Sequence, residues 1–295
     1  MSELTGAILA GGLGTRLRSV VSDRPKVLAL VRGQPFLAYL LDQLGEAGIR
    51  RVVLLTGYKG EQIEETFGSR YGNIQLEYSA ETEPLGTAGA LRLALPKLFP
   101  GSPLKKGTVP LGNADMSRRD HLLERDSPLF QRAALGAAGQ GESAGTVLML
   151  NGDSFCAADL NGFRNFHSNL EREPGNQSTP SPALRVAMAS IVLTRVPDTS
   201  RFGKVEVTAD DRVERFVEKQ EAGGAGWINA GIYLIPRELV EQIPTGRAVS
   251  IEREMFPMWS QKGHLRGYRG HGEFLDIGTP ESYRAAEEFF GRRAA

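Results

Sequence analysis

The clearest chemical pattern in the chain lies near its start, where an apolar run ends in glycines and cationic side chains follow. Residues 7–10 (AILA) lead into residues 11–16 (GGLGTR), and Lys26 stands further on, directly after Pro25. Backbone N–H groups in a glycine turn can approach an anion closely, because no side chain stands in the way. Arg16 would add a planar guanidinium and Lys26 a point charge. This pattern predicts a site for a nucleoside triphosphate or a similar polyanion.

Two common phosphate-binding motifs do not match this stretch. A Walker loop closes with Gly-Lys-Ser/Thr, and the chain contains no such run. A dinucleotide-binding fingerprint needs a third glycine where Leu17 stands. It also needs an acidic residue at the end of the second strand, and that strand ends in Thr56-Gly57.

Asp153 is a candidate metal-binding residue. It follows the apolar segment 146–150 (TVLML) after Asn151 and Gly152. The carboxyl end of a buried strand is where open α/β sheets place their ligands. Carboxylate oxygens suit Mg²⁺, which takes one or two of them together with substrate phosphates. The alternative is an aspartate that only shapes a turn, as Gly-Asp pairs often do.

Residues 11–26 (GGLGTRLRSVVSDRPK) resemble the signature of the sugar-1-phosphate nucleotidyltransferases, which is G-G-x-G-T-R-L followed by P-K. Residues 17–21 are most similar to the guanylyltransferase branch that acts on D-glycero-α-D-manno-heptose 1-phosphate. Val27 departs from the pattern, because many members have a second proline there. The resemblance implies a Rossmann-like, three-layer α/β fold with a mixed, mostly parallel central sheet, of the nucleotide-diphospho-sugar transferase type. It also implies the reaction of an NTP with a sugar 1-phosphate to give an NDP-sugar and pyrophosphate.

The resemblance further implies roles for individual residues. The catalytic residues would be Arg16, Lys26 and Asp153, with Mg²⁺ held by Asp153 and Asp276. In the family a P-x-G-T-A element lines the nucleoside pocket, and residues 84–88 (PLGTA) match it. The nucleotide would contact the glycine turn, this element and the glycine before Asp153, namely Leu9, Ala10, Gly11, Gly12, Gly14, Thr15, Arg16, Leu85, Gly86, Thr87, Ala88 and Gly152. Three further family elements surround the sugar phosphate: F-G-x-V, matched by residues 202–205, E-K, matched by 218–219, and N-A/T-G, matched by 229–231. The residues that would contact the sugar phosphate are Gly203, Glu218, Lys219, Asn229 and Gly231.

Each of these later elements has an ordinary structural explanation when it is taken alone. Glu218-Lys219 suits an exposed charged pair, Asn229 suits a turn, and Asp276 suits a turn or cap ahead of a helix at Pro280. Three sugar-side elements in the order of the family favour the functional interpretation. The pairing of Asp276 with Asp153 rests on the resemblance, since the two lie far apart in the sequence.

The substrates expected from the nearest branch are GTP and D-glycero-α-D-manno-heptose 1-phosphate. Mannose or glucose 1-phosphate and phosphocholine remain alternatives, and the motifs do not decide the base. A nucleotide-sugar-dependent glycosyltransferase would normally show Asp-x-Asp, but Ser154-Phe155 follow Asp153. A non-catalytic sensor of nucleotide sugars would lack some of the cations or carboxylates, and all of them are present.

Composition favours small-molecule partners in the cytoplasm. Thirty-five basic and thirty-five acidic residues give a formal charge of zero, so no overall basic field attracts nucleic acid. The single cysteine, Cys156, suits a reducing compartment. The sequence contains no apolar run of about 18 residues, so no membrane span is predicted. The apolar start is too short for a secretory signal. Whether the chain forms a homo-oligomer is left open.

The order of elements predicts one nucleotidyltransferase domain over residues 1–295. Strand and helix alternate in the first part, which predicts a parallel sheet covered on both faces. The nucleotide half would cover about 1–155 and the sugar half about 184–290, with insertions at about 96–145 and 171–183. Strands are predicted at 7–10, 52–56, 74–79, 146–150, 184–194, 203–208, 212–217 and 227–235. Helices are predicted at 35–47, 60–67, 86–95 and 280–290.

Overall fold

The computed structural model describes residues 4–12, 14, 16, 17, 19–101, 145–170, 187–217 and 223–293. Most of the insertion predicted at 96–145 and all of the one at 171–183 lie outside these ranges. Three of the predicted site residues also lie outside them, namely Thr15, Glu218 and Lys219.

Strands and short helices alternate through the described residues. The strands are β1 Thr5–Leu9, β2 Leu30–Val31, β3 Gln34–Pro35, β4 Arg51–Thr56, β5 Arg70–Tyr71, β6 Ile74–Ala80, β7 Thr146–Asn151, β8 Ser154–Cys156, β9 Ala189–Val196, β10 Lys204–Val207, β11 Val213–Val217, β12 Gly226–Pro236, β13 Leu265–Arg269 and β14 Phe274–Asp276. The α-helices are α1 Phe36–Glu46, α2 Gly60–Phe67, α3 Gly86–Leu93, α4 Leu95–Leu98, α5 Leu160–Leu170, α6 Arg237–Glu241, α7 Phe256–Gln261 and α8 Pro280–Arg293. A 3₁₀ turn covers Lys26–Leu28, and a π-helical turn covers Ile251–Met255.

An eight-stranded sheet in the order β13-β9-β12-β7-β1-β4-β6-β5 joins the two halves of the chain. β1 pairs in parallel with β4 and β7, β4 with β6, and β9 with β13. β12 runs antiparallel to β7 and β9, and β5 runs antiparallel to β6. The predicted fold class, a three-layer α/β fold with a mixed and mostly parallel sheet, is therefore confirmed.

Successive residues of the central strands face two separate hydrophobic cores. Ile8 and Leu54 belong to one core, whereas their neighbours Ala7 and Val53 belong to the other. Helices α1, α5 and α8 cover the first core, and α3, α6 and α7 cover the second. Burial on both faces explains why these strands are continuous apolar runs in the sequence. Among the helices of the described ranges, none is long and apolar enough to cross a membrane.

Most predicted elements are present, with small shifts at their ends. The helix predicted at 60–67 has the same bounds as α2, and the one predicted at 35–47 is α1, Phe36–Glu46. The strand predicted at 184–194 is described from Ala189. The strands predicted at 203–208 and 212–217 are β10 and β11, which pair antiparallel. Helices α4 to α7, the edge strand β13 and the short strands β2, β3, β5 and β8 were not predicted.

The topology brings several strand ends to one place. The carboxyl ends of β1, β4, β6 and β7 meet at one edge of the sheet, as parallel pairing requires. β14 then pairs antiparallel with β8, with Asp276 opposite Ser154. Two segments far apart in the sequence thereby lie side by side just beyond the end of β7.

Packing of the closing helix on the first helix should contribute strongly to stability. The Phe290 ring stacks on Tyr39 with centroids 3.8 Å apart and meets Phe36 and Phe155 edge-on. Phe290→Ala should lower the free energy of unfolding by about 3–5 kcal/mol, since it removes these contacts and leaves a cavity. Urea denaturation measures the change. Arg284→Ala, at an exposed position of the same helix, should change it by less than about 0.5 kcal/mol. Equal effects of the two substitutions would contradict the assigned packing.

Candidate active site

A cleft of about 650 Å³ opens where the ends of β1, β4, β6 and β7 meet. Eleven of the predicted site residues line it, namely Leu9, Ala10, Gly11, Gly12, Gly14, Arg16, Lys26, Gly86, Thr87, Gly152 and Asp153. The glycine turn after β1 and the aspartate after β7 thus face one space, although they are more than a hundred residues apart in sequence. Backbone N–H groups and cations from one segment therefore adjoin a carboxylate from the other.

Two glycines allow the main chains around the cleft to approach each other. A Cβ at Gly152 would collide with the carbonyl oxygen of Leu9 and with the side chain of Val27. A Cβ at Gly11 would come within 3.1 Å of the backbone nitrogen of Gly57. Gly152 therefore has a packing reason to be glycine, in addition to its predicted contact with the nucleotide.

Lys26 and Asp153 form an ion pair in the cleft. The Lys26 ammonium donates a hydrogen bond to Asp153 Oδ2 over 2.9 Å. The lysine side chain is only 13% exposed, whereas the aspartate is 51% exposed. Lys26 begins the 3₁₀ turn, and the next two residues, Val27 and Leu28, are buried and anchor that turn. The position where the chain departs from the family pattern, Val27, thus serves as a core contact beside Gly152.

The segment that carries Asp276 runs beside the segment that carries Asp153, but the two carboxylates have different partners. The N–H of Ile277 donates to the carbonyl oxygen of Asp153 over 2.9 Å, which extends the β8–β14 pairing. Asp276 Oδ1 accepts from the N–H of Gly278 over 2.8 Å, and Asp276 Oδ2 lies 3.4 Å from Arg201. Each of the two aspartates is therefore paired with a different cation.

The two aspartates fit a magnesium-type site, although they do not form a complete cage. No cluster of three or more acidic, histidine or cysteine side chains among the described residues surrounds a metal position. Mg²⁺ does not need such a cluster, because it usually takes one or two carboxylates and completes its shell with phosphates and water. Asp153 lines the cleft and is half exposed, so its carboxylate is accessible to such an ion.

Residues 85–88, which are predicted to contact the nucleoside, also form hydrogen bonds with a segment from the second half of the chain. The N–H of Ala88 donates to the carbonyl oxygen of Val249, and the N–H of Val249 donates to that of Leu85. Gly86 has φ +72°, and a Cβ there would lie 2.5 Å from the Val249 oxygen. Gly86 and Thr87 line the cleft, whereas Ala88 is buried. Gly86 therefore has a packing reason to be glycine, because the Val249 main chain lies against it.

None of the predicted sugar-side residues that the structure describes, Gly203, Asn229 and Gly231, is in the lining of the cleft. Asn229 donates to the Tyr233 hydroxyl and accepts from the N–H of Gly231, so its polar atoms are engaged within the protein. Gly231 has φ +75° and packs closely on Asn151 and Ser154, which flank Gly152 and Asp153 in the chain. Gly203 also has a positive φ, +79°. The structure thus places Asn229 and Gly231 next to the end of β7.

Three acidic residues that line the cleft were not predicted from the sequence, Glu81, Glu83 and Glu252. Glu81 follows β6, and its Oε2 accepts a hydrogen bond from the N–H of Leu85 over 3.0 Å. Burial raises the pKa of Glu81 above the ordinary value of a glutamate, an effect that the Leu85 hydrogen bond partly opposes. Its other oxygen, Oε1, adjoins the backbone of Gly11 and Gly57. The position of Glu81 directly after a strand of the parallel sheet is a signal that could have identified it.

Comparison with known proteins agrees with this geometry. A family model described as nucleotidyl transferase matches residues 5–102 and 131–293. The chain belongs to the nucleotidyl transferase family. Enzymes of this family generally use a divalent metal ion, and the two aspartates of this chain are compatible with one.

Named relatives include guanylyltransferases for two sugar phosphates. A D-glycero-alpha-D-manno-heptose 1-phosphate guanylyltransferase from Aneurinibacillus thermoaerophilus is 30% identical over 281 residues, covering 95% of this chain and 96% of the relative. A mannose-1-phosphate guanylyltransferase from Mycobacterium tuberculosis is 31% identical over 284 residues, covering 95% of this chain. The chain spans 63% of the length of that mannose enzyme.

A solved structure of a relative has the same fold over nearly its whole length. HddC from Yersinia pseudotuberculosis, crystallised in a complex with GMP-PN, superposes with a TM-score of 0.69 at 27% identity. The match covers 97% of this chain and 99% of that chain. The fold of the family therefore extends through both halves of this protein.

Alanine substitutions at two glycines of the cleft should distinguish a tightly packed position from an open one. Gly152→Ala should lower the free energy of unfolding by roughly 1–3 kcal/mol, because the new methyl group collides with the Leu9 carbonyl. At Gly12 no atom lies within 4 Å of an added Cβ, so Gly12→Ala should leave stability within about 0.5 kcal/mol of the parent. Chemical denaturation of both variants provides the comparison. A stable Gly152→Ala variant would show that the two strand ends are not tightly apposed.

Proposed function

We propose that the protein is a sugar-1-phosphate guanylyltransferase that converts GTP and a sugar 1-phosphate into a GDP-sugar and pyrophosphate. The observation that carries the proposal is the cleft in which the glycine turn and Lys26 face Asp153. The preferred sugar substrate is D-glycero-α-D-manno-heptose 1-phosphate. The heptose enzyme supports this choice, since the match covers 96% of its length, against 63% of the mannose enzyme. Mannose 1-phosphate is the second candidate, because the mannose enzyme is equally similar in sequence.

The reaction requires two anions to meet and react in line. An oxygen of the sugar phosphate attacks the α-phosphorus of the nucleotide and forms a new P–O bond. The bond between the α-phosphorus and the bridging oxygen to the β-phosphate breaks, and pyrophosphate leaves with that electron pair. Charge accumulates on the phosphoryl oxygens, so catalysis depends mainly on positioning and on cations.

The chain's own residues would supply most of this charge stabilisation. Arg16 and the N–H groups of the glycine turn would bind the leaving β- and γ-phosphates. Lys26, which now pairs with Asp153, would turn to the α-phosphate and the incoming sugar phosphate. Lys219 would bind the sugar phosphate. A divalent cation on Asp153 and Asp276, Mg²⁺ by its preference for oxygen ligands, would neutralise the α-phosphate.

Glu81 supports guanine as the base. Guanine presents two adjacent hydrogen-bond donors on its pairing edge, N1–H and N2–H₂, and one carboxylate can accept from both. Adenine, cytosine and uracil place an acceptor next to a donor on that edge and would meet repulsion from a carboxylate. Glu81 lines the cleft beside the glycine turn and has Leu85 N–H as its only hydrogen-bond donor among the described residues. It thus has acceptor capacity left for a ligand.

The proposed activity is tested by measuring pyrophosphate release with Mg²⁺ for four NTPs against a panel of sugar 1-phosphates. We expect release with GTP and D-glycero-α-D-manno-heptose 1-phosphate. Release with GTP and mannose or glucose 1-phosphate would support the same mechanism with a different sugar substrate. No release with any pair, together with binding of a finished nucleotide sugar, would indicate a glycosyltransferase or a sensor instead. The cytoplasmic location expected from the sequence stays a prediction.

Removal of Lys26 should affect turnover far more than folding. Lys26→Ala should lower kcat by about 10²–10³-fold, because a cation at the reacting phosphates is lost. Its unfolding midpoint should stay close to that of the parent, since the partner carboxylate is half exposed. Lys262→Ala, which removes an exposed lysine on the surface, is the matched control and should keep normal turnover. Near-normal turnover of Lys26→Ala would make the catalytic assignment wrong.

Substitution of Glu81 should weaken the preference for GTP. Glu81→Gln should raise KM for GTP by about tenfold or more, since an amide donor then faces a donor of the base. Glu83→Gln, an exposed carboxylate on the same wall, should change KM little. An unchanged ratio of GTP to ATP use in Glu81→Gln would exclude Glu81 from base recognition.

The same residue should give GTP binding a dependence on pH. Only ionised Glu81 accepts from both donors, so GTP affinity should fall as the pH is lowered through the pKa of this group. Because burial raises that pKa above 4.5, the loss should begin at a higher pH than for an exposed carboxylate. Calorimetric titration at a series of pH values tests this, and Glu81→Gln should remove this part of the pH dependence.

A further inference from the structure

Glu252 is a second carboxylate of the cleft that the proposed chemistry does not use. It lies in the π-helical turn after β12 and α6, and it lines the same cleft as the glycine turn. The side chain is half-buried, and no lysine, arginine or histidine of the described residues forms an ion pair with it. A carboxylate in such a place is costly unless hydrogen-bond donors satisfy it.

The protein fixes one oxygen of this carboxylate with two hydroxyl groups. Glu252 Oε2 accepts from Thr87 Oγ1 over 2.9 Å and from Ser250 Oγ over 3.2 Å. Each hydroxyl in turn accepts a backbone N–H, Thr87 from Ile251 and Ser250 from Arg253. Each hydroxyl therefore accepts one N–H and donates its single proton to Glu252. The orientation of the carboxylate is thus set before any ligand binds.

The other oxygen, Oε1, has no hydrogen bond within the described part of the chain. A phosphate would be repelled there, because both groups are anionic. The pairing edge of a base is assigned to Glu81, on the segment before Gly86. The donors that remain in a nucleotide or a sugar phosphate are hydroxyl groups. Hydroxyls on adjacent carbons are suited to one carboxylate, which can accept from both.

We propose that Glu252 recognises vicinal hydroxyls of the bound substrate, those of the nucleotide ribose or those of the pyranose of the sugar phosphate. The proposal rests on the proposed function, since it assumes that both substrates enter this cleft. It also gives Thr87 a second role, because Thr87 holds Glu252 in place. Glu252 then determines specificity for the oxygenated sugar and takes no part in phosphoryl transfer.

Glu252→Gln tests this role with little disturbance of the fold. The amide oxygen can still accept from Thr87 and Ser250. The amide nitrogen that replaces Oε1 is a donor, so it cannot accept a hydrogen bond from a substrate hydroxyl. Glu254→Gln is the matched control in the same turn. Glu254 accepts from the Ser250 N–H and pairs with Arg247 at the surface. Glu252→Asp, which shortens the carboxylate, is a second variant, and thermal unfolding establishes that each variant is folded.

The first measurement is calorimetric binding of GTP, 2′-deoxy-GTP and 3′-deoxy-GTP with Mg²⁺ and without sugar phosphate. If the ribose is recognised, the parent should bind GTP about tenfold or more tightly than one of the deoxy analogues. Glu252→Gln should bring that ratio close to one, and Glu254→Gln should keep it. The second measurement compares KM for the sugar 1-phosphate that is turned over with KM for its singly deoxygenated analogues, which detects recognition of the pyranose.

The possible results are distinct. A hydroxyl preference that Glu252→Gln abolishes in either measurement supports the proposal and identifies the sugar concerned. Equal preference in the parent and in Glu252→Gln, in both measurements, would overturn it. Failure of the parent to bind any nucleotide would overturn the proposed function and the role of Glu252 with it. Binding and turnover without any hydroxyl dependence would overturn only the role of Glu252.

Discussion

The ion pair between Lys26 and Asp153 connects the 3₁₀ turn that follows the glycine turn with the end of β7, and the two residues are 127 positions apart in the chain. It forms because β1 and β7 are parallel neighbours in the centre of the sheet, so their carboxyl ends lie together. Gly152 allows the two ends to touch, since any side chain there would meet the Leu9 carbonyl. The rest of the cleft is arranged around this contact. The pair also keeps both charges compensated in the cleft, where the half-exposed Asp153 carboxylate is open to a competing ligand.

A second constraint brings the two halves of the chain to the same cleft. Gly86 and Ala88 of α3 dock onto Val249, and this brings Glu252 into the lining of the cleft. β14 pairs with β8 and brings Asp276 beside Asp153. Both contacts join segments that are distant in sequence, so the site exists only when the whole sheet is assembled. Selectivity for base and sugar would then come from carboxylates, whereas the cations act on the phosphates.

The sequence predicted the parts of this arrangement that have a local signal. Apolar runs such as 52–56 and 146–150 revealed the central strands, and the spacing of Leu37, Leu40 and Leu44 revealed α1. β13 (LRGYR) was missed because an edge strand with two arginines and a glycine lacks that apolar run. α7 was missed because Pro257 interrupts an otherwise helical stretch, although a proline is tolerated in a first turn. Glu252 could not be predicted, because its place in the cleft depends on the long-range docking of Val249.

The central claim is that Lys26 exchanges its partner when substrates bind. The most direct test is a crystal structure of the protein with Mg²⁺ and a non-hydrolysable analogue of GTP. The account predicts that the Lys26 ammonium has left Asp153 for a phosphate oxygen, that Asp153 and Asp276 face the metal, and that Glu81 meets the guanine edge. A nucleotide bound elsewhere, with Lys26 still hydrogen-bonded to Asp153, would contradict it.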